Sequence, residues 1–140
     1  MIFRQAVQND LEEVAKDSIS RGPKENPVAV DFISALEHEG KVLAVGGIRM
    51  MNATTAWAWF NMSVHARAHI RSVYRVVSEW MDVLAKTHGI RRMMAAVEPD
   101  FPEAIRTVEH LGFQQESVMA NFFGDKFGYL FVRFYPAGGV

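Results

Sequence analysis

The sequence predicts a single α/β domain built on one mixed sheet, of the α+β kind. Three observations carry this. Segments with strand-like and helix-like hydrophobic spacing alternate in the order β-α-β-β-β-α-β-α-β-β. The middle of the chain reads as a meander of short runs separated by turn residues. The second half alternates apolar runs with helices, which calls for crossovers beside the meander and helices on both faces of the sheet. A length of 140 residues fits one domain over 1–140. No repeat, low-complexity tract or linker divides it.

Each element has a local reason. "IFRQAV" alternates and reads as a first strand. Asn9 or Asp10 can cap the helix that follows, with Glu12 and Glu13 in a first turn where the helix dipole favours acids. That helix is expected to reach about Ser20. "RGPKENP" is a loop. "VAVDFISALEHEGKVLAVGGIRMM" reads as two strands around a tight turn at Glu39-Gly40, with a bulge or a close backbone approach at Gly46-Gly47. "NATT" is a turn, and "AWAWFNMSV" is the last strand of the meander.

Ile70, Val73, Val77, Trp80, Met81 and Leu84 then recur at helical spacing, and Gly89 caps that helix. "RRMMAAVEP" is a buried strand. "PEAIRTVEHLGF" is a helix opened by Pro102 and stopped at Gly112. "FQQESVMANFFGDKFGYLFVRFY" makes a final hairpin around Gly124-Asp125, and "PAGGV" is a frayed tail.

Composition excludes several classes. There is no cysteine, hence no disulfide, thiolate zinc site or cysteine nucleophile. No apolar run is long enough to span a bilayer, and "MIFRQAVQND" turns polar too early for a signal peptide. A cytoplasmic setting is the default, and a membrane partner is not expected. The net charge of −1 argues against a general polyanion binder. Yet from Gly40 to Ser78 the chain carries Lys41, Arg49, Arg67, Arg71 and Arg75 with no acid. The positive bias peaks in "VHARAHIRSVYR", Val64 to Arg75.

Two segments resemble the GNAT acetyltransferase superfamily. "PEAIRTVEHLGFQQE" resembles its late helix, with Ala104-Ile105 and the Leu111-Gly112-Phe113 ending. "FISALEHEGKVLAVGGIRM" resembles its second and third strands. The likeness runs in order and spacing over nearly the whole chain. The chain also resembles small GNAT-like proteins of tailed bacteriophages, some of them virion or assembly components. That narrower likeness implies a host-cytoplasmic or virion setting.

The superfamily resemblance implies acetyl-CoA as co-substrate and an amine as acceptor. In that family the cofactor lies where the fourth and fifth strands splay, with its pyrophosphate on amides opening the next helix. Counting back from Gly89, this loop falls on His69-Ile70-Arg71-Ser72-Val73-Tyr74. The implied cofactor set is Met62, Val64, Arg67, His69, Ile70, Arg71, Ser72, Val73 and Tyr74. Ser72 and Tyr74 stand where the family has glycines, and Val108 stands where many members carry a proton-donating Tyr. The usual general acid is therefore missing from its usual place. Three tyrosines, Tyr74, Tyr129 and Tyr135, remain, and Tyr129 is the candidate kept beside Glu98.

Acetyl transfer needs a deprotonated amine, a polarised carbonyl and alignment of the two. Glu98, at the end of the fifth strand, is the preferred base, although strand-end acids are often only solvated. Glu37 and Glu39 on the hairpin are weaker candidates for meeting an amine. His65 and His69 have the i, i+4 spacing of a metal pair, but no third ligand stands at a suitable spacing, so no metal is expected. Arg67, Arg71 and Arg75 at i, i+4 steps would share one helical face. Nucleic acid is not expected, because the patch is small. The aromatic last hairpin suits a homodimer surface or a substrate groove. The rival to the enzyme is a GNAT-fold protein without catalysis, serving in phage structure, assembly or host interaction.

Overall fold

The computed structural model describes residues 1–19 and 32–136. The order is β1 (Ile2–Gln5), α1 (Gln8–Lys16), β2 (Phe32–His38), β3 (Lys41–Met50), β4 (Thr55–Met62), a 3-10 helix (Val64–His69), α2 (Ile70–His88), β5 (Arg92–Val97), α3 (Pro102–His110), β6 (Gln114–Phe123) and β7 (Lys126–Phe134). This is the predicted order of strands and α-helices. The seven strands form one mixed sheet in the order β1-β2-β3-β4-β5-β7-β6. The expected loop Arg21–Pro27, the strand residues Val28–Asp31 and the tail beyond Pro136 lie outside the described residues. So does Ser20, and the described helix α1 ends at Lys16.

The chain divides into two compact units, Met1–Arg49 with Ala58–Val76, and Met50–Trp57 with Val77–Val140. In the first, β1 and β2 pair antiparallel, as do β2 and β3. Glu39 (φ 50) and Gly40 (φ 78) both take left-handed backbone, the requirement of the tight turn that matches strand twist. Helix α1 is capped differently from expectation. Val7 is the N-cap and has no side-chain acceptor, while Asp10, three residues on, accepts the Val7 N–H at 2.8 Å. Val14 buries among Ala6, Ala35, Val42 and Val45, with Leu11, Ile33 and Trp59 packed against them.

The glycine pair in β3 is a close approach, not a bulge. A Cβ on Gly47 would stand 2.6 Å from the Phe32 carbonyl oxygen and 2.9 Å from Trp59 Nε1. The register shift of this hairpin falls instead between Leu36 and Glu37.

In the second unit, β4 starts parallel to β5 through Thr55–Arg92, Ala56–Met93 and Trp57–Met94. The "NATT" turn is closed by Asn52, whose Oδ1 accepts from the amides of Thr54 and Thr55 at 3.0 and 2.9 Å. β7 lies between β5 and β6 and is antiparallel to both. Along β5, Met93, Ala95 and Val97 are buried and Arg92, Met94 and Ala96 are half-buried, a strict alternation. Gly89 (φ 67) and Gly112 (φ 89) end α2 and α3 in left-handed backbone, as predicted.

Candidate functional site

In the first unit, β4 delivers the chain to the basic segment. Met62 and Ser63 are buried, and Met62 O accepts the Ile19 N–H at 2.9 Å. The Ser63 N–H reaches Leu43 O at 2.8 Å, and its hydroxyl accepts from His65 N at 3.2 Å. Val64, which is exposed, donates its N–H to Asp17 O at 2.8 Å, and Ala66 donates to Ser63 O at 3.0 Å. The first amides of the helical run are therefore satisfied by the protein itself.

The 3-10 helix was not anticipated, and it rearranges the candidate side chains. It advances about 120° per residue against about 100° in an α-helix, so residues four apart stand about 120° apart instead of about 40°. His65 and His69 both lie inside it and cannot share a face. His65 Nε2 meets Asp17 Oδ2 at 3.2 Å, whereas the His69 ring packs edge-on against His38, centroids 4.6 Å apart. Among the described residues no group of three or more His, Cys, Asp or Glu is placed to hold a metal. The same geometry removes Arg67 from the face shared by Arg71 and Arg75, which both lie in α2.

The 3-10 helix runs into α2 without a loop, so His69–Tyr74 is helix and not a glycine-like loop. Ile70, Ser72 and Tyr74 are half-buried, Val73 is fully buried, and Arg67, Arg71 and Arg75 are exposed. No acid stands in the first turn of either helix. The exposed guanidinium groups and the absence of an acid from either first turn suit an anion, with Asp17 beside His65 as the nearby carboxylate.

In the second unit, Glu98 directly follows β5. Its carbonyl accepts the Phe101 N–H at 3.1 Å in the turn before α3. Tyr129 pairs with Val97 across the β5–β7 ladder, one position from Glu98. Alternation turns the two side chains to opposite faces, however. Tyr129 sits in a row with Phe127 and Phe131, centroids 5.7 and 6.4 Å away. Asp100 is engaged by Lys126 at 3.7 Å. The hairpin acids have local roles: Glu37 Oε1 is 3.5 Å from Arg4 Nη2, and Glu39 is 3.8 Å from His38 Nε2. Val108, at the expected tyrosine position, is a half-buried helix residue that offers no proton.

A seven-stranded mixed sheet with β7 inserted between β5 and β6 and three α-helices in this order is matched widely among solved structures. Ard1 from Thermoplasma volcanium superposes with a TM-score of 0.76 at 19% identity, covering 96% of this chain and 97% of that one. A spermidine N-acetyltransferase SpeG chimera from Vibrio cholerae and hSSAT gives a TM-score of 0.73 at 12% identity, covering 96% of each chain. The ribosomal-protein-S5-alanine acetyltransferase from Vibrio fischeri gives 0.65 at 15% identity over 74% of this chain and 61% of that one.

The fold is that of the GNAT acyltransferases.

At these identities the likeness establishes the GNAT fold, and the chemistry has to be argued from this chain's own residues. No family model matches the chain, and no curated protein matches it by sequence. His38 and Asp17 were missed in the sequence because neither lies near the basic segment along the chain. Only the strand register of the hairpin and the end of α1 bring them there.

Proposed function

We propose that this protein is an N-acetyltransferase that uses acetyl-CoA as co-substrate and an amine as acceptor. One observation carries the reading beyond the fold. Around the junction of the 3-10 helix and α2, Arg67, Arg71 and Arg75 are exposed, and no acid stands in the first turn of either helix. That is a setting for a pyrophosphate. The known structures that share the fold include acetyltransferases for spermidine and for a ribosomal-protein alanine, by their names.

Bound acetyl-CoA would supply an activated thioester. Met62, Val64, Arg67, His69, Ile70, Arg71, Ser72, Val73 and Tyr74 are the residues assigned to hold it, with Arg71 foremost. The acceptor nitrogen must shed a proton before it bonds the acyl carbon, and the departing sulfur must gain one. The Glu98 carboxylate is assigned the first transfer. Tyr129, the other candidate, faces the opposite side of the sheet from Glu98 and does not serve the same centre, so with Val108 at the usual tyrosine position the proton for the sulfur is left to water.

Calorimetric titration of acetyl-CoA tests the reading, on wild type and on Arg71→Ala. Micromolar binding weakened about tenfold by the substitution is expected, about the worth of one charged hydrogen bond. No binding at millimolar cofactor would sink the reading. It would favour a non-catalytic GNAT-fold structural or assembly protein, which draws on Ser72 and Tyr74 replacing glycines within regular helix.

A further inference from the structure

The edge of β4 assigned to the cofactor is already occupied within the first unit. In an extended chain the backbone groups of successive residues point to opposite edges. Ser63, the extended residue just past β4, donates its N–H to Leu43 O on β3 at 2.8 Å. Met62 and Val64 therefore turn their backbone groups to the edge away from β3. Pairing of β4 with β5 covers Thr55–Trp57 among the described residues, and so stops short of them.

That edge is taken by the three residues that follow α1. The Val64 N–H donates to Asp17 O at 2.8 Å, and the Ile19 N–H donates to Met62 O at 2.9 Å. Between these bonds Ser18 and Ser63 face each other as an antiparallel bridge. Side chains add to the closure. Ser18 Oγ donates to Asn61 Oδ1 at 2.5 Å, Asp17 Oδ2 is 3.2 Å from His65 Nε2, and Ile19 is buried. The same pairings account for α1 ending at Lys16 and not at about Ser20. Asp17 is its C-cap, and residues 17–19 are drawn off to β4.

Met62 and Val64 are also residues assigned to hold acetyl-CoA. Their backbones offer that edge one acceptor and one donor, and Asp17–Ile19 uses both. The amide groups of an extended ligand such as acetyl-CoA can take these places only after the three residues let go. Letting go is a small event. The segment is short, and its ion pair joins an imidazole and a carboxylate that are 42% and 51% exposed, which makes it weak. Openings of this scale need no global unfolding.

We propose that Asp17–Ile19 is a strap that closes the cofactor edge of β4, and that acetyl-CoA binds the form in which the strap is released. The site is then self-inhibited, with an apparent affinity set by the released fraction. The regulatory role rests on the acetyltransferase reading; the opening of the strap does not.

The test uses the absence of cysteine from the chain. Ser18 and Ser63 form a non-hydrogen-bonded antiparallel pair, a position with Cα atoms about 4.5 Å apart, within disulfide range. Ser18→Cys combined with Ser63→Cys gives one bond that locks the strap when oxidised and frees it when reduced. Acetyl-CoA is titrated calorimetrically into both forms of the full chain and into Ser18→Ala. The reduced form should bind at least as tightly as wild type, and the oxidised form about a hundredfold more weakly or not at all. Ser18→Ala, which loses one strap bond, should bind about fivefold more tightly. Equal affinity of the oxidised and reduced forms overturns the proposal, and so does no gain with Ser18→Ala.

Amide hydrogen exchange without cofactor separates the strap from the acetyltransferase reading. In wild type the Ile19 and Val64 amides should exchange together, about tenfold faster than Ser63, and oxidation of the double variant should slow them to the Ser63 rate. Absence of acetyl-CoA binding in every form sinks the acetyltransferase reading. The strap then stands on this exchange pattern, and it falls if Ile19 and Val64 are as slow as Ser63 in wild type.

Discussion

Arg133 on β7 and Asp82 on α2 are joined by an ion pair, Nη2 to Oδ1 at 2.6 Å. The other terminal nitrogen, Nη1, donates to Leu111 O at 3.1 Å and to Ser78 Oγ at 3.3 Å. One guanidinium thus fastens α2, the end of α3 and β7 within the second unit. Replacing Arg133 by Met keeps most of its volume and strands a carbonyl and a carboxylate. A loss of about 2–3 kcal/mol in urea unfolding is expected. Asp82→Asn should cost only about 1 kcal/mol or less, because Asp82 is half exposed and the two other bonds remain. Equal losses for the two variants would mean that the ion pair dominates.

The Tyr135 hydroxyl is buried, with no hydrogen-bond partner among the described residues. Burial pushes it up to about 12, partly offset by Arg133, which lies over its ring at 4.8 Å. A raised value in the folded state means that folding favours the neutral phenol. That contribution is complete below about pH 10, the ordinary phenol value, and is lost as pH rises toward 12. Tyr135→Phe removes an unsatisfied polar group and keeps the ring under Arg133. It should raise stability at pH 7 by about 1 kcal/mol and flatten the alkaline limb of the stability curve. A destabilised variant would reveal a buried water as the missing partner.

Gly47 is the tightest position described in β3. Gly47→Ala puts a methyl against the Phe32 carbonyl and the Trp59 indole, and the carbonyl belongs to a paired strand that cannot move alone. A loss of about 3 kcal/mol is expected. Gly46→Ala meets its nearest atom at 3.1 Å and should cost less. Urea melts of both variants check the order; a reversed order would show that the paired strand carrying the Phe32 carbonyl gives way.

The order of elements was legible because hydrophobic period and turn residues are local. Gly40, Gly89, Gly112 and Gly124 all proved to be left-handed stops or turns. The 3-10 helix was not legible. Its start is fixed by Asp17 O on Val64 and by the Ser63 cap, and the first of these is a contact between residues far apart in sequence. For the same reason the i, i+4 spacing of His65 and His69 misled, since it presumes α-helical rotation. The contact between the Phe122 and Trp57 rings, centroids 5.9 Å apart, was equally hidden. "MANFF" shows aromatic density, but only the register of β6 on β7 reveals the extra residues that turn Phe122 back. The separation of Glu98 from Tyr129 was hidden too, because it follows from the pairing of Val97 with Tyr129 between β5 and β7.

Acid sensitivity should trace to Asp10. The residue is 4% exposed, and its carboxylate accepts from both terminal nitrogens of Arg4, at 2.8 and 2.9 Å, and from the Val7 N–H. The Arg4 hydrogen bonds, ahead of the opposing effect of burial, hold Asp10 below the usual carboxylate value. A lowered value in the folded state means that its stabilisation is complete above about pH 4 and is lost as pH falls through the folded value. Asp10→Asn keeps the shape, still accepts from Val7 and abolishes the ion pair. It should cost about 2 kcal/mol at pH 7, and progressively less as the pH is taken below about 4, where wild type loses the same interaction. The measurement is urea unfolding of both proteins from pH 7 to pH 2.5. A difference that stays constant across that range would show that Asp10 acts by packing and capping and not by its charge.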